Sequence, residues 1–383
     1  MRRLAVLGST GSIGVNALDV ARHLKSKCRV VGIAARRSWE ALRDQAMEFS
    51  PTRVAIVDRD CAPRLTAALN GIQVLAGEQA LCDIATADDA DVVLSAITGA
   101  AGLAAGLAAL RAGKTLALAN KESLVSAGPL MMEAATAGKA AIVPVDSEHS
   151  AVFQAMQSGR REEVAKVYIT GSGGPFRTAD AAALGNATVE QALKHPTWRM
   201  GAKITVDSAT LMNKALEVIE AKWLFGLEAE QIEVVIHPQS IVHSLVEFRD
   251  GSVIAQLGLP DMRVPIQYAI TYPERLDGNV KRLDLTELKT LTFEKPDTTR
   301  FPSILLGFRA AREGGTMGAV LNSANEVAVE AFLARRLAFP RIVATVAEVM
   351  ERHSVKRSPT LDDILQADAW ARREAAAVAS RNP

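Results

Sequence analysis

Short apolar runs alternate with amphipathic stretches along the first 145 residues of the chain. The runs LAVL (4–7), CRVVGIA (28–34), RVAIVD (53–58), DVVLSAI (91–97) and TLALA (115–119) have the length of buried strands, and residues at helical spacing separate them. Alternation of strand and helix predicts a parallel sheet with helices on both faces. We therefore expect a doubly wound, Rossmann-type domain here.

Beyond this first domain the pattern changes. The stretch VDSATLMNKALEVIEAK (206–222) predicts one amphipathic helix, with Ser208 as its N-cap and Gly226 just past its end. An alternating stretch with a turn at residues 250–251 predicts a β-hairpin. From residue 303 onward the periodicity is helical throughout.

The first predicted strand leads into a glycine-rich turn, GSTGSIG (8–14), which opens a helix. Its three evenly spaced glycines let the backbone approach a pyrophosphate, and the helix N-terminus offers free N–H groups to it. Thr10 and Ser12 add hydroxyl donors. The turn predicts a dinucleotide site.

The end of the second predicted strand indicates which dinucleotide binds. A site that prefers NAD has an acidic residue there, whereas this chain has Arg36, Arg37 and Ser38. Two guanidinium groups and a hydroxyl suit a 2′-phosphate, so we predict NADPH rather than NADH. A pair of solvated arginines is the alternative.

Polar residues follow two later strands. Asn120, Lys121 and Glu122 come directly after TLALA, and Asp146 and Glu148 come at the end of AIVPVD. The carboxyl ends of parallel strands are the edge at which such sheets bind ligands.

Asp146 and Glu148 would point to one face if their strand continues. Two carboxylates on one face repel unless a cation or proton lies between them, and oxygen ligands favour Mg²⁺ or Mn²⁺. A solvated strand end is the alternative. Glu217 shares a helix face with Asn213 and Lys214 and is the candidate third ligand, although a solvated helix face would look the same.

A second glycine-rich turn, TGSGG (170–174), contains Ser172. A nest of N–H groups with a hydroxyl has the form of a phosphate site, and a tight connection is the alternative. The segment HPTWRMGAK (195–203) resembles loops that close over a ligand, with Trp198 as the covering side chain. We predict a lid loop over about residues 186–204.

His237 and His243 lie on the predicted hairpin, and we interpret them as core or interface histidines rather than metal ligands. The apolar alternation of the hairpin suits a sheet that packs against a second subunit. We therefore expect a homodimer.

Composition narrows the class of protein. The 383 residues are 49% hydrophobic and 23% charged with a formal net charge of +1, so nucleic acid and membrane surfaces are not expected partners. Three cysteines without CxxC spacing indicate a reducing compartment, and the N-terminal apolar run is too short for a signal peptide. We expect a cytoplasmic protein. The uncharged run 92–110 could span a membrane, but its Ala and Gly content favours a buried strand and helix.

With these features assembled, the chain resembles the 1-deoxy-D-xylulose 5-phosphate reductoisomerase family over essentially its whole length. Arg36 and Ser38 stand where family members often have Gly and Asn. The resemblance rests on six blocks: LGSTGSIG (7–14), ANKESLV (119–125), PVDSEHSAVFQ (144–154), TGSGGPF (170–176), HPTWRMGAKITVDSATLMNKALEVIEA (195–221) and HPQSIVHS (237–244).

The resemblance implies an NADPH-dependent enzyme with one Mg²⁺ or Mn²⁺ per subunit. It would rearrange 1-deoxy-D-xylulose 5-phosphate to a branched aldehyde and reduce that aldehyde to 2-C-methyl-D-erythritol 4-phosphate, a step in non-mevalonate isoprenoid synthesis. The alternatives are a simple NADP-dependent sugar-phosphate dehydrogenase and a non-catalytic NADPH-sensing protein. Neither alternative needs three carboxylates around a metal.

The resemblance also implies roles for individual residues, of which Ser172, Ser208, Asn213 and Lys214 would cradle the substrate phosphate. The cofactor residues would be Thr10, Gly11, Ser12, Ile13, Arg36, Arg37, Ser38, Asn120, Glu122 and Gly201. The metal ligands would be Asp146, Glu148 and Glu217. The substrate contacts would be Lys121, Ser147, Glu148, Ser172, His195, Ser208, Asn213, Lys214 and Glu217. The catalytic set would be Lys121, Asp146, Glu148, Glu217, His195 and Trp198.

We therefore predict an α/β protein in three parts. A Rossmann-type NADPH-binding domain covers residues 1–145, and an α+β catalytic domain with a sheet at the dimer interface covers 146–272. A linker over 273–302 leads to a small helical bundle over 303–383.

Overall fold

The computed structural model describes residues 1–97, 100–198 and 200–381. Residues 98–99 of the predicted strand and turn, and Arg199 of the predicted lid, lie outside the described residues. The chain forms two compact units. The first comprises Met1–Ser123, Leu130–Ser150 and Asp261–Lys281, and the second comprises Leu124–Pro129, Ala151–Pro260 and Arg282–Pro383. These units are defined by how the chain packs, and they do not test the division into three domains, which remains a prediction.

A seven-stranded parallel sheet forms the centre of the first unit within the described residues. The strands are β1 (Arg2–Leu7), β2 (Cys28–Ala35), β3 (Arg53–Ile56), β4 (Gln73–Ala76), β5 (Val92–Ser95), β6 (Thr115–Leu118) and β7 (Ile142–Pro144). Their order in the sheet is β4-β3-β2-β1-β5-β6-β7, so the winding direction reverses between β1 and β5. The predicted doubly wound fold is confirmed, and of these strands only β4 was not predicted.

Helices connect the strands, and each buries a face of small or aliphatic residues such as Ala17, Leu18 and Ala21. They are α1 (Ser12–His23), α2 (Trp39–Phe49), α3 (Ala62–Ala68), α4 (Gln79–Ala85), α5 (Ala100–Arg111), α6 (Lys121–Gly138) and α7 (Ser147–Ala155). Among the described residues, no helix has both the length and the apolar character needed to cross a bilayer.

The second unit contains a four-stranded sheet, in the order β11-β10-β8-β9. Its strands are β8 (Val164–Gly171), β9 (Ile232–Ile236), β10 (Val242–Phe248) and β11 (Val253–Leu257). β8 and β9 are parallel, and the other pairs are antiparallel. The predicted hairpin is confirmed as β10 and β11, which turn at Asp250 and Gly251 with Gly251 at φ 86°.

The remaining helices belong to the second unit, except for α12 (Arg263–Thr271), which belongs to the first. The other helices are α8 (Ala181–Gly185), α9 (Val189–Ala192), α10 (Ala202–Ala209), α11 (Met212–Phe225), α13 (Ser303–Glu313), α14 (Met317–Leu333), α15 (Phe339–Arg352) and α16 (Leu361–Arg381). The last four confirm the predicted C-terminal helices. They share one hydrophobic core with α11 and the second sheet, in which Ile169, Leu216 and Val346 are buried.

Two local predictions are wrong. Residues 206–222 are not one helix, because Leu211 has φ 58° and separates α10 from α11, so Ser208 lies inside α10 rather than at an N-cap. Gly226 does end α11, at φ 61°. The strand also does not continue to Glu148: β7 ends at Pro144 and α7 begins at Ser147.

Candidate active site

The predicted site residues fall in both units. In the first unit are Thr10, Gly11, Ser12, Ile13, Arg36, Arg37, Ser38, Asn120, Lys121, Glu122, Asp146, Ser147 and Glu148. In the second are Ser172, His195, Trp198, Gly201, Ser208, Asn213, Lys214 and Glu217.

The glycine turn of the first unit is built for close packing. Gly8 has φ 88°, and a Cβ on Gly14 would lie 2.2 Å from the Gly8 carbonyl oxygen, so both positions require glycine. Gly11 is the extended N-cap of α1 and has no capping side chain. No side chain therefore caps the first-turn N–H groups of α1, so a ligand can accept from them, and Thr10 and Ser12 flank Gly11 in the same turn.

The residues after β2 are solvent-exposed. The Arg37 side chain is 76% exposed, and its Nε donates to Asp58 Oδ2 at 2.7 Å. The backbone N–H of Asp60 and then the Arg37 guanidinium lower the pKa of Asp58 below its ordinary value. Arg36 and Ser38 are exposed beside them, and Ser38 precedes the first turn of α2. This surface can accept an anionic group from solvent.

Asn120 lies deeper, at the N-cap of α6. Its Nδ2 donates to Ser123 Oγ at 2.8 Å and also to the Ile97 carbonyl oxygen. A Cβ on Gly102 would lie 2.4 Å from this Nδ2, so the glycine makes room for the amide. Asn120 Oδ1 is buried without a hydrogen-bond partner among the described residues. A ligand that donates a hydrogen bond would satisfy it.

Asp146 caps α7, which explains why the strand stops before it. Its Oδ1 accepts from the backbone N–H of Glu148 at 3.1 Å and lies 3.2 Å from His149 Nδ1, and its Oδ2 accepts from Lys121. The Ser147 hydroxyl donates to Glu148. Two carboxylates, a buried ammonium group and a helix N-terminus therefore lie together in the first unit. Glu122 lies in the first turn of α6, next to Lys121.

In the second unit, a buried ion pair lies in the first half of α11. Glu217 is fully buried, and its two carboxylate oxygens accept from Lys214 Nζ and Asn213 Nδ2, each at 2.5 Å. The prediction that these three side chains share one helix face is confirmed. Lys214 is itself only 5% exposed, so neither charge is shielded by much water.

His195 joins the glycine turn to α10. Its Nε2 lies 3.2 Å from Ser172 Oγ and 3.0 Å from Ser208 Oγ. Its Nδ1 accepts from the backbone N–H of Thr197 and of Trp198, at 3.2 and 2.9 Å. Because Nδ1 is an acceptor, the proton of the neutral ring is on Nε2 and points toward the two serines.

The turn after β8 also packs tightly against both helices. A Cβ on Gly171 would lie 3.0 Å from Lys214 Cε, and a Cβ on Gly174, at φ 70°, would lie 2.6 Å from the Ser208 carbonyl oxygen. The Gly174 N–H donates to Ser172 Oγ at 3.2 Å. Two hydroxyls, an imidazole N–H and a lysine therefore gather around one turn, a donor set that suits a phosphate.

The segment predicted as a lid loop contains helical structure. α9 lies within it, and Gly201 is the N-cap of α10. The Trp198 ring is half-buried, 6.3 Å from the ring of His243. His243 and His237 are buried, as expected for core histidines, and His237 stacks on Phe293 at 4.7 Å.

Asp207, the neighbour of Ser208, was not among the predicted site residues. This carboxylate is 1% exposed and lies 2.9 Å from Lys203 Nζ, while Asn325 Nδ2 donates to it at 2.7 Å. The spacing of Lys203 and Asp207, four residues apart, is a signal that could have drawn attention to it.

Family models cover most of the chain. Residues 4–128 match 1-deoxy-D-xylulose 5-phosphate reductoisomerase, residues 142–225 match the 1-deoxy-D-xylulose 5-phosphate reductoisomerase C-terminal domain, and residues 257–374 match the DXP reductoisomerase C-terminal domain.

Relatives and solved structures agree with these models. The 1-deoxy-D-xylulose 5-phosphate reductoisomerases of Pelotomaculum thermopropionicum and Pelodictyon phaeoclathratiforme are 53% and 51% identical. The alignments cover 97% of both chains in the first case, and 98% of this chain and 99% of the relative in the second.

The Zymomonas mobilis enzyme in complex with NADPH has a TM-score of 0.94 at 42% identity, over 99% of both chains. A DOX-P reductoisomerase in complex with NADPH, fosmidomycin and magnesium has a TM-score of 0.94 at 40% identity, over 99% of this chain and 98% of that one. The chain therefore belongs to the 1-deoxy-D-xylulose 5-phosphate reductoisomerase family.

Proposed function

We infer that this protein is an NADPH-dependent, divalent-metal-dependent reductoisomerase. It converts 1-deoxy-D-xylulose 5-phosphate to 2-C-methyl-D-erythritol 4-phosphate by isomerisation and hydride reduction, as a step of isoprenoid precursor synthesis. The observation that carries this conclusion is the match to reductoisomerases along almost the whole chain, at 53% identity for one relative. The solved relatives that contain NADPH and magnesium support the same cofactors here.

The first unit is suited to NADPH. The space that Gly8 and Gly14 leave beside α1 would receive the pyrophosphate, and Arg36, Arg37 and Ser38 would meet the 2′-phosphate. The unpartnered Oδ1 of Asn120 would accept a hydrogen bond from the cofactor. The proposed contacts are Thr10, Gly11, Ser12, Ile13, Arg36, Arg37, Ser38, Asn120, Glu122 and Gly201.

We propose that Asp146, Glu148 and Glu217 hold one Mg²⁺ or Mn²⁺. Three carboxylates are the donor set that such hard cations prefer, and lysines beside two of them provide the opposite charge that buried carboxylates need. When bound, the ion acts as a Lewis acid toward the oxygens of an α-hydroxyketone. Lys121 adds positive charge where negative charge develops on the substrate oxygens.

Substrate binding is proposed for the polar group around the TGSGG turn. Ser172, Ser208, Asn213 and Lys214 would hold the phosphate, and the N–H on His195 Nε2 would add a donor. A fixed phosphate orients the fragment whose carbon–carbon bonds rearrange. Trp198 would cover the substrate and exclude water. Ser147 and Lys121 would contact the other end of the molecule.

We also propose a homodimer that forms on the second sheet, and a cytoplasmic location. β11 is an edge strand, and its residues Val253, Ile254 and Leu257 are 49%, 37% and 36% exposed, which is unusual for an edge facing solvent. Sedimentation analysis would test the dimer. Cys28, Cys61 and Cys82 are free thiols, as in a reducing compartment.

One assay tests the proposed activity. The protein is stripped of metal, and NADPH absorbance is followed with 1-deoxy-D-xylulose 5-phosphate before and after Mg²⁺ or Mn²⁺ is added. Metal-dependent oxidation of NADPH with a branched product is expected. A straight-chain reduced product would favour a simple dehydrogenase, and NADPH binding without turnover would favour a sensor.

A further inference from the structure

The break between α10 and α11 separates the residues that we assign to the phosphate. Ser208 lies in the last turn of α10, and Asn213 and Lys214 lie in the first turn of α11. Between them, Leu211 has φ 58° and ψ 14°, a left-handed conformation that a leucine rarely adopts. Such a backbone persists only where the surrounding structure holds it.

The C-terminal helices contact the residues at the centre of this break. The Ser303 hydroxyl, at the start of α13, donates to the Thr210 carbonyl oxygen at 2.6 Å, and both residues are buried. One turn further along α13, a Cβ on Gly307 would lie 2.5 Å from Ala215 Cα of α11. The backbones of α13 and α11 are therefore in contact. Leu211 itself is 3% exposed.

A second connection lies beside Ser208. Asn325, fully buried in α14, donates through Nδ2 to Asp207 Oδ1 at 2.7 Å. The other oxygen, Asp207 Oδ2, faces Lys203 at 2.9 Å, on the first turn of α10. A carboxylate that is 1% exposed needs such partners, because burial of an unpaired charge is costly. Asp207 thus contacts both Lys203, at the start of its own helix, and Asn325 of the C-terminal helices.

We propose that Asp207 is a positioning residue through which Asn325 of α14 fixes Ser208, and through Ser208 the His195 ring, for the substrate phosphate. This inference rests on the proposed function. Asp207 does not touch the substrate: its neighbour Ser208 does, and the 3.0 Å contact from Ser208 Oγ to His195 Nε2 depends on where α10 is held. The C-terminal helices thereby contribute to substrate affinity.

The test exchanges the two side chains. Asn325→Asp places two carboxyl groups against each other, and we expect KM for 1-deoxy-D-xylulose 5-phosphate to rise about tenfold or more, the loss expected for a buried charged hydrogen bond. The double variant Asp207→Asn/Asn325→Asp restores one amide and one carboxylate, with the donor now at position 207. We expect it to return KM to within about threefold of wild type, since the pair contact is restored.

Ser323→Ala is the matched control. Ser323 lies on the same helix, is also fully buried, and donates to Asp368 of α16 rather than to α10. Its loss should lower the melting temperature without changing KM. The NADPH dissociation constant should be unchanged in all of these variants. Should Asn325→Asp fail to fold, Asn325→Ser, which removes the amide donor but adds no charge, carries the same expectation of a higher KM.

A readout independent of turnover separates this inference from the proposed function. The ¹H–¹⁵N signal of the His195 imidazole, identified by its loss in His195→Gln, should shift in Asn325→Asp and return in the double variant. An unchanged imidazole signal, or a KM that the exchange does not restore in a folded protein, would overturn the positioning role. Absence of turnover in the wild type would refute the proposed function and leave the imidazole test standing.

Discussion

The two units build their parts of the candidate site in different ways. For the cofactor, the first uses backbone groups at a glycine turn and exposed side chains after β2, so that Arg37 is 76% exposed. The second uses buried side chains on a broken helix, where Glu217 is fully buried and Lys214 is 5% exposed. Recognition in the first unit is local in sequence, whereas in the second it depends on packing between distant segments.

This difference has energetic consequences. An exposed ion pair such as Arg37 with Asp58 is screened by solvent and contributes little to stability, so it can be altered with little effect on folding. Removal of one partner from a buried pair such as Lys214 with Glu217 costs about 3–5 kcal/mol if the other charge stays uncompensated. Variants in the second unit therefore need a melting-temperature measurement beside the kinetics, because the loss of a buried charge also destabilises the fold.

The largest effect is expected for Glu217→Gln. The amide keeps an oxygen that can accept from Asn213 or Lys214, so the fold and NADPH binding should survive, but the metal loses a charged ligand. We expect kcat to fall about 10²–10³-fold, the scale of losing one electrostatic group at the reacting atoms. Steady-state kinetics and an NADPH titration check this.

The control for that variant is Glu230→Gln, which removes an exposed carboxylate paired with Arg312 in the same unit. It should leave kcat unchanged. A wild-type kcat in Glu217→Gln would remove Glu217 from the metal site and weaken the contrast between the two units.

Lys214→Ala should act on binding more than on chemistry. A phosphate anchor stabilises ground and transition states alike, so we expect KM for the substrate to rise about 10- to 100-fold with kcat nearly unchanged. The control is Lys222→Ala. Lys222 lies on the last turn of the same helix, and its Nζ donates to the Ala311 carbonyl oxygen. An unchanged KM in Lys214→Ala would contradict its phosphate role.

A smaller effect is expected in the first unit. Arg37→Ala should reduce the ratio of kcat/KM for NADPH over NADH by about tenfold, the value of one charged hydrogen bond, without a measurable change in melting temperature. Arg22→Ala, which removes an exposed arginine paired with Glu48, should keep the wild-type ratio. Equal kcat/KM values for the two cofactors in the wild type would refute the 2′-phosphate assignment.

The smallest effect concerns stability against pH in the C-terminal helices. Burial lowers the pKa of His353 below its ordinary 6.5, although Glu313 opposes the shift. The folded state therefore binds fewer protons than the unfolded state, and the contribution of His353 to stability falls as pH drops below about 6.5. The melting temperature should fall between about pH 7.5 and 5.5, by no more than about 2–4 °C from this residue.

His353→Gln, which can keep the hydrogen bond from Thr316, should lose that part of the pH dependence. The same slope in both proteins would assign the effect to other groups.

How well a feature could be predicted from the sequence depends on whether its residues are close in sequence, as in the first unit, or distant, as in the second. The glycine turn and the strand–helix alternation depend on residues close in sequence, and they were predicted. β4 was missed because QVLA is only four residues long and none of its residues is fully buried. The break at Leu211 could not be read from periodicity, because Ser303 and the C-terminal helices hold it from about 90 positions away.

The candidate site shows the same limit. The residue types at strand ends allowed Lys121, Asp146 and Glu148 to be identified. They did not show that Asp146 caps a helix rather than continuing a strand. The pairing of Asn213, Lys214 and Glu217 followed from helical spacing. The role of Asp207 did not, because its partner Asn325 is remote in sequence and carries no motif of its own.

The central claim is that Asp146, Glu148 and Glu217 bind one divalent cation. Calorimetric titration of metal-free protein with Mn²⁺ tests it most directly, using Asp146→Asn, Glu148→Gln and Glu217→Gln; asparagine preserves the helix cap that Asp146 provides. We predict one site per chain in the wild type and weaker binding, by about tenfold or more, in each variant. Wild-type affinity for Mn²⁺ in Glu217→Gln would contradict the shared site.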